Sequence, residues 1–146
     1  MKITHSILFM FIGSFIVQYF IMPPIMVNKI SYITNNIGKV YLATIMGLFM
    51  VFIEIIMHDH QYNVLSVNWY TILFALLALF TYLYRKQIAI NDKQYLEAMI
   101  EHHSMAVFMS DEILKKTDNY DVAKLAKNII QTQNDELQLM TNLLKK

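Results

Sequence analysis

Polar and apolar positions divide the chain into three long oily runs followed by a charged stretch of helical periodicity. From Ile3 to Met22 the polar side chains are few, chiefly Thr4, His5, Ser6, Ser14 and Gln18. At ~1.5 Å rise per residue, about 20 helical residues cross a bilayer core. A cleaved signal peptide would have a shorter apolar core ending at small residues, whereas this run ends in Met22-Pro23-Pro24. The pattern predicts a retained membrane helix over 3–22, stopped by the proline pair. A polar connection with Asn28, Lys29, Ser31, Thr34, Asn35, Asn36 and Lys39 follows. A second apolar helix is expected over 40–57, with Glu54 inside it and Met46, Met50, Ile53 and Met57 on one face. His58 to Asn63 reads as a polar turn. The third helix, 67–84, opens with Trp69 and Tyr70 and closes with Tyr82 and Tyr84, aromatic ends that suit two membrane interfaces. Arg85 and Lys86 stop it.

Beyond this the period stays helical but the faces become amphipathic. Asn91 with Gln94 three residues on is a capping-box signature, and Ile90 against Tyr95 suits a hydrophobic staple. Leu96, Met99, Ile100, Ala106, Val107, Ile113 and Leu114 then predict a helix over 92–116. Thr117 to Asp121 is a turn offering caps, and Val122, Ala126, Ile129, Ile130, Leu137, Met140 and Leu144 predict a second helix over 120–144. The expected fold is all-α: a membrane domain, residues 1–86, and an antiparallel helical hairpin, residues 87–146. One hairpin cannot bury both its faces, so a homodimer or higher oligomer completing a four-helix bundle is expected.

Charge sharpens this division. Residues 1–84 carry only Lys2, Lys29, Lys39, Glu54 and Asp59, while the remaining 62 carry nine basic and nine acidic side chains. With the N-terminus outside, Lys29, Lys39, Arg85 and Lys86 fall on the cytoplasmic side and only Lys2 opposes them, which predicts a cytoplasmic hairpin. A net charge of +1 supplies no basic face for nucleic acid. Lipid, a metal ion and further copies of the chain are the partners expected. Without cysteine there is no disulfide or thiolate site.

Candidate chemistry sits where polar residues interrupt the apolar stripes. His103 continues Leu96, Met99 and Ala106, with His102 at its edge, while Gln133 and Glu136 continue Ala126, Ile129 and Met140. With the turn centred between Asp118 and Asn119, His102 and His103 fall opposite Asp135 and Asn134, within a turn of Gln133 and Glu136. Two imidazoles, the thioethers of Met99, Met109 and Met140, and one carboxylate can converge. Imidazole with thioether suits copper, the soft sulfur favouring Cu(I), whereas zinc would use His102, His103 and Glu136. A buried His103–Gln133–Glu136 network that holds register without metal is an equal alternative. A weaker second cluster is Glu54, His58 and His60; Glu54 lies close enough to a helix end for its side chain to reach water. Glu-x-x-His, His-Glu-x-x-His, phosphate loops and Gly-x-Ser-x-Gly are all missing, so neither an enzyme nor an organic cofactor is expected.

Asp92-x-x-Tyr-Leu-x-x-Met-Ile-x-His-His-x-x-Ala-x-x-Met109, followed by Leu125-Ala-x-x-Ile-Ile-x-x-Gln-x-x-Glu-Leu-x-x-Met140, resembles the domain of unknown function 305 family over roughly residues 91–144. Tyr41-x-Ala43-x-x-Met46 resembles, less specifically, its small members with three membrane helices. The resemblance implies a ferritin-like bundle, and some members bind copper or silver ions and contribute to metal tolerance. It carries over Met99, His102, His103, Met109 and Met140 as ligands, with Gln133 and Glu136 as signature positions. The family's proline before the two histidines is Glu101 here, a further potential ligand beside the site or a solvated charge. Many relatives are exported, which opposes the charge-based orientation and implies a periplasmic or extracellular hairpin. The expected function is membrane-anchored binding of copper for sequestration, sensing or delivery. The alternatives are a metal-free interaction module and a small oligomeric transport accessory using Glu54, His58 and the Met46–Met50–Met57 face.

Overall fold

Each apolar run forms a helix, but the polar segments around the runs behave differently from expectation. The computed structural model describes residues 3–145; Lys2, counted in the charge bias, lies outside them. The elements in order are α1 (Ile3–Ile16), a π-helical turn (Val17–Ile21), α2 (Met22–Met26), a 3₁₀ turn (Ile30–Tyr32), α3 (Ile37–Tyr62), α4 (Val67–Arg85), α5 (Asp92–Leu114) and α6 (Tyr120–Leu143). No strand occurs among the described residues, so the protein is all-helical. Three stretches, Ile3–Met26, Ile37–Tyr62 and Val67–Arg85, are long and apolar enough to cross a membrane.

Two of these stretches outrun their predicted ends. Pro23 and Pro24 do not stop the first, which stays helical to Met26. The wide π turn just before them already breaks the ordinary hydrogen-bond ladder, so prolines without an N–H are accommodated there. The second continues through His58, Asp59 and His60 to Tyr62 rather than turning at His58. Asp59 is buried, and its carboxylate accepts from the Ser66 N–H at 2.7 Å and the Ser66 hydroxyl at 2.7 Å. That grip moves the turn to the Asn63 region, where Asn63 itself takes a positive φ of 51°.

The chain separates into two compact units: residues up to Ile21 with Ile37–Ala89, and Met22–Asn36 with the residues from Ile90 onward. In the first unit α3 packs against both α1 and α4. Leu48, Val51, Ile55 and Leu73 form its core, flanked by Ile7, Phe11, Phe52 and Trp69. Gly47 permits the closest approach: a Cβ there would lie 2.8 Å from the Phe11 ring, so any other residue would push α1 away. The Ser6 hydroxyl donates to Glu54, the Tyr41 hydroxyl donates to the Ile88 carbonyl at 2.9 Å, and the Lys39 ammonium lies 5.0 Å from the Tyr19 ring centre.

In the second unit α5 and α6 form the expected hairpin. Asn91 caps α5 by accepting from the Gln94 N–H, and Asn119 caps α6 by accepting from the Asp121 and Val122 N–H groups. Ile100, Val107, Leu137 and Met140 make the seam between the helices. The segment read as a polar connection is a strap on this hairpin. Pro23 and Val27 are buried, and Tyr32 packs against the seam. The Asn28 N–H donates to the fully buried Ser104 hydroxyl oxygen at 3.0 Å. Division of the chain at residue 86 by charge therefore leaves this strap with the wrong neighbours, because its backbone donors are satisfied by side chains of α5.

Candidate metal-binding seam

His103 is the centre of the site. It lies on the α5 face that meets α6, its side chain 13% exposed, with Nδ1 3.0 Å from Oε2 of Glu136. This Nδ1 is buried and makes no aligned hydrogen bond among the described residues. Distance and direction thus disagree: the pair is close enough for an ion pair when the ring is protonated, but the carboxylate is off the N–H axis. Gln133 donates from Nε2 to the same Oε2 at 3.3 Å. Helical side chains lean toward the N-terminus, so His103 reaches away from the turn and meets Glu136 rather than Asn134.

The same register carries the thioethers. Met99 lies one turn before His103 and Met140 one turn after Glu136, and both join the Ile100–Val107–Leu137 cluster. One imidazole, one carboxylate and two thioethers therefore share the seam. The other candidates lie elsewhere. His102 is exposed, its ring centre 6.3 Å from that of His103 and tilted 61° to it, as adjacent positions on a helix require. Met109 is 68% exposed and borders a cleft of about 500 Å³ near the turn, beside Val122 and Leu125. No group of three or more His, Cys, Asp or Glu side chains suited to a metal occurs among the described residues. The zinc-type set of His102, His103 and Glu136 is accordingly not assembled.

Glu101 is not a solvated charge. It is 9% exposed, and its Oε2 accepts from the Thr34 N–H at 3.0 Å and lies 3.3 Å from the Thr34 hydroxyl, which donates to the Glu97 carbonyl at 2.8 Å. Its role is to hold the strap. The sequence pattern put Thr34 only in a polar connection and gave Ser104 no part. The usable signal was a second polar stripe on α5, Glu97, Glu101 and Ser104, set away from the His103 stripe. Glu54, His58 and His60 do not form one cluster: Glu54 receives Ser6, His58 Nδ1 lies 3.1 Å from Asp59, and His60 is exposed.

Fold and site define an all-helical protein with three membrane-length apolar helices and a strapped helical hairpin. Its residues 80–144 match the pattern described as domain of unknown function (DUF305). An uncharacterized protein of Acanthamoeba polyphaga mimivirus, L153, is 33% identical over 142 residues, covering 97% of this chain and 92% of that protein. The chain belongs to the domain of unknown function 305 family. No solved structure matches it.

Proposed function

We propose that this is a membrane-anchored protein whose hairpin binds a soft metal ion, Cu(I), for sequestration or delivery rather than turnover. The observation that carries this reading is the buried His103 Nδ1, which has no aligned hydrogen bond and lies 3.0 Å from Glu136 in the helix seam whose apolar cluster includes Met140 and is flanked by Met99. A buried imidazole nitrogen lacking a good partner costs free energy, and a cation recovers it. Two thioethers within the same seam favour a soft ion over zinc. The ligand set is thus narrower than the sequence motif: His103, Met99 and Met140, with Glu136 supplying charge and Gln133 orienting it. The test is Cu(I) stoichiometry and affinity of the full chain in detergent. His103→Ala and Met99→Leu should each weaken binding at least tenfold with helicity retained, while His102→Ala and Met109→Leu should leave it nearly unchanged. Binding that follows His102 instead would overturn this ligand set.

The 3.0 Å approach of Glu136 favours a second reading, in which His103, Glu136 and Gln133 hold helix register in a metal-free interaction module. His103→Leu would then change stability without changing metal content. Under either reading two hairpins pair into a four-helix bundle, and the exposed Tyr120, Leu125, Leu139 and Leu143 of α6 support this. Lys29, Lys39, Arg85 and Lys86 favour a cytoplasmic hairpin. Leu125→Lys with Leu139→Lys should convert the detergent-solubilised oligomer to monomer; a chain already monomeric would remove the pairing proposal.

A further inference from the structure

α1 and α4 both lie along α3, and the space between them is a cleft of about 590 Å³. Its floor is one stripe of α3, Thr44, Leu48, Val51 and Ile55, all buried beneath it. This floor runs about three turns, ~16 Å, close to the ~15 Å of one leaflet in a hydrocarbon core of roughly 30 Å. One end of the cleft lies at Thr4 and Trp69, in the first turns of α1 and α4. At the far end Phe80 meets Tyr41 edge-on at 6.3 Å, and Phe15 stacks on Tyr19 at 5.6 Å. The one polar group on the floor is satisfied, since the Thr44 hydroxyl donates to the Val40 carbonyl at 2.8 Å. Nothing there asks for a polar ligand.

We propose that this cleft holds one acyl chain of a phospholipid from the leaflet at the Trp69 end, as a resident lipid rather than a passing neighbour. The proposal rests on the membrane-spanning part of the functional reading. A transmembrane helix of a second copy is the competing occupant, and the walls argue against it. Close helix approach in a bilayer uses small residues, whereas Ile7, Phe11 and Phe15 on one wall face Trp69, Ile72 and Leu76 on the other. Gly47, which would admit a second helix onto α3, is already filled by the Phe11 ring. A single flexible hydrocarbon chain fits between bulky walls where a helix does not. The volume lies in the range of sites built for one small ligand, about 300–1,000 Å³.

Trp69 is the chain's single tryptophan and lines the cleft, so it reports directly. The full chain is first floated with phospholipid vesicles, then extracted in detergent and titrated with a phospholipid brominated at mid-chain. The expected result is quenching of Trp69 that saturates near one lipid per chain, with one phospholipid retained in native mass spectra. Ile72→Phe with Leu76→Phe, both at the exposed rim, should abolish retention and saturation while circular dichroism stays helical. Quenching that rises linearly and is the same in the double variant means ordinary boundary lipid and overturns the proposal. A dimer that the double variant dissociates means a second copy fills the cleft, and overturns it also. A chain that fails to float sinks the membrane reading itself, a result distinct from flotation without saturable quenching.

Discussion

At the residue scale, the carboxylate of Glu101 shows how a charge can be structural. Buried carboxylates are costly unless hydrogen-bonded, and Thr34 supplies its backbone N–H and its hydroxyl within reach. Glu101→Ala leaves that N–H without its acceptor, which should cost about 1–3 kcal/mol. Glu101→Gln keeps an acceptor oxygen and should cost less. Denaturation of the full chain, with hydrogen exchange read at residues 27–36, checks both; an unchanged exchange rate at Thr34 in the alanine variant would sink this role. Periodicity placed His103 on the inner face, where its Nδ1 lies 3.0 Å from Glu136. It gave no sign of what Glu101 meets, because Thr34 is 67 positions away and no local rule links them.

At the element scale, caps and seam residues were legible because their causes are local. Asn119 accepts from two backbone N–H groups at the start of α6, so Asn119→Ala should cost about 1 kcal/mol, read from thermal melting. Position along a stripe decides larger effects. Leu137 is 1% exposed in the seam and Leu139 is 59% exposed, two residues along the same helix. Leu137→Ala should therefore cost about 2–5 kcal/mol. Leu139→Ala should stay within about 0.5 kcal/mol in a monomeric chain. Comparable losses at both positions would mean that the α6 outer face is covered. Helix ends were less legible. The α3 end at Tyr62 depends on Asp59 reaching Ser66, and the run through Pro23 depends on a π turn that hydropathy does not register.

At the scale of the molecule, the strap alters what counts as the hairpin domain. Residues 87–146 alone would leave Glu101 and Ser104 without Thr34 and Asn28, and would uncover the seam beside Tyr32. Expressed by itself, that fragment should show faster amide exchange over 97–107 than the same residues in the full chain. Equal protection would mean that the strap adds nothing to stability. Metal measurements on the fragment would carry the same defect, since Tyr32 and Met99 pack on one cluster. The full chain is the right object for the copper test.

The sequence by itself determined the all-helical class, three apolar helices of membrane length, the hairpin with its Asn91 cap and a capping turn over 117–121, and the two facing stripes that hold Met99 with His103 and Met140. These follow from short-range physics: helical period, capping geometry and the length of an apolar run. Tertiary structure alone decided which histidine is enclosed, that Met109 faces out, that Glu101 and Ser104 hold a strap, and that Glu54, His58 and His60 part company. Those outcomes depend on partners 48 to 76 positions distant or on the rotation of one helix against another. A hydrogen bond across such a separation leaves no periodic trace in the chain, because either partner taken alone looks like an ordinary polar residue.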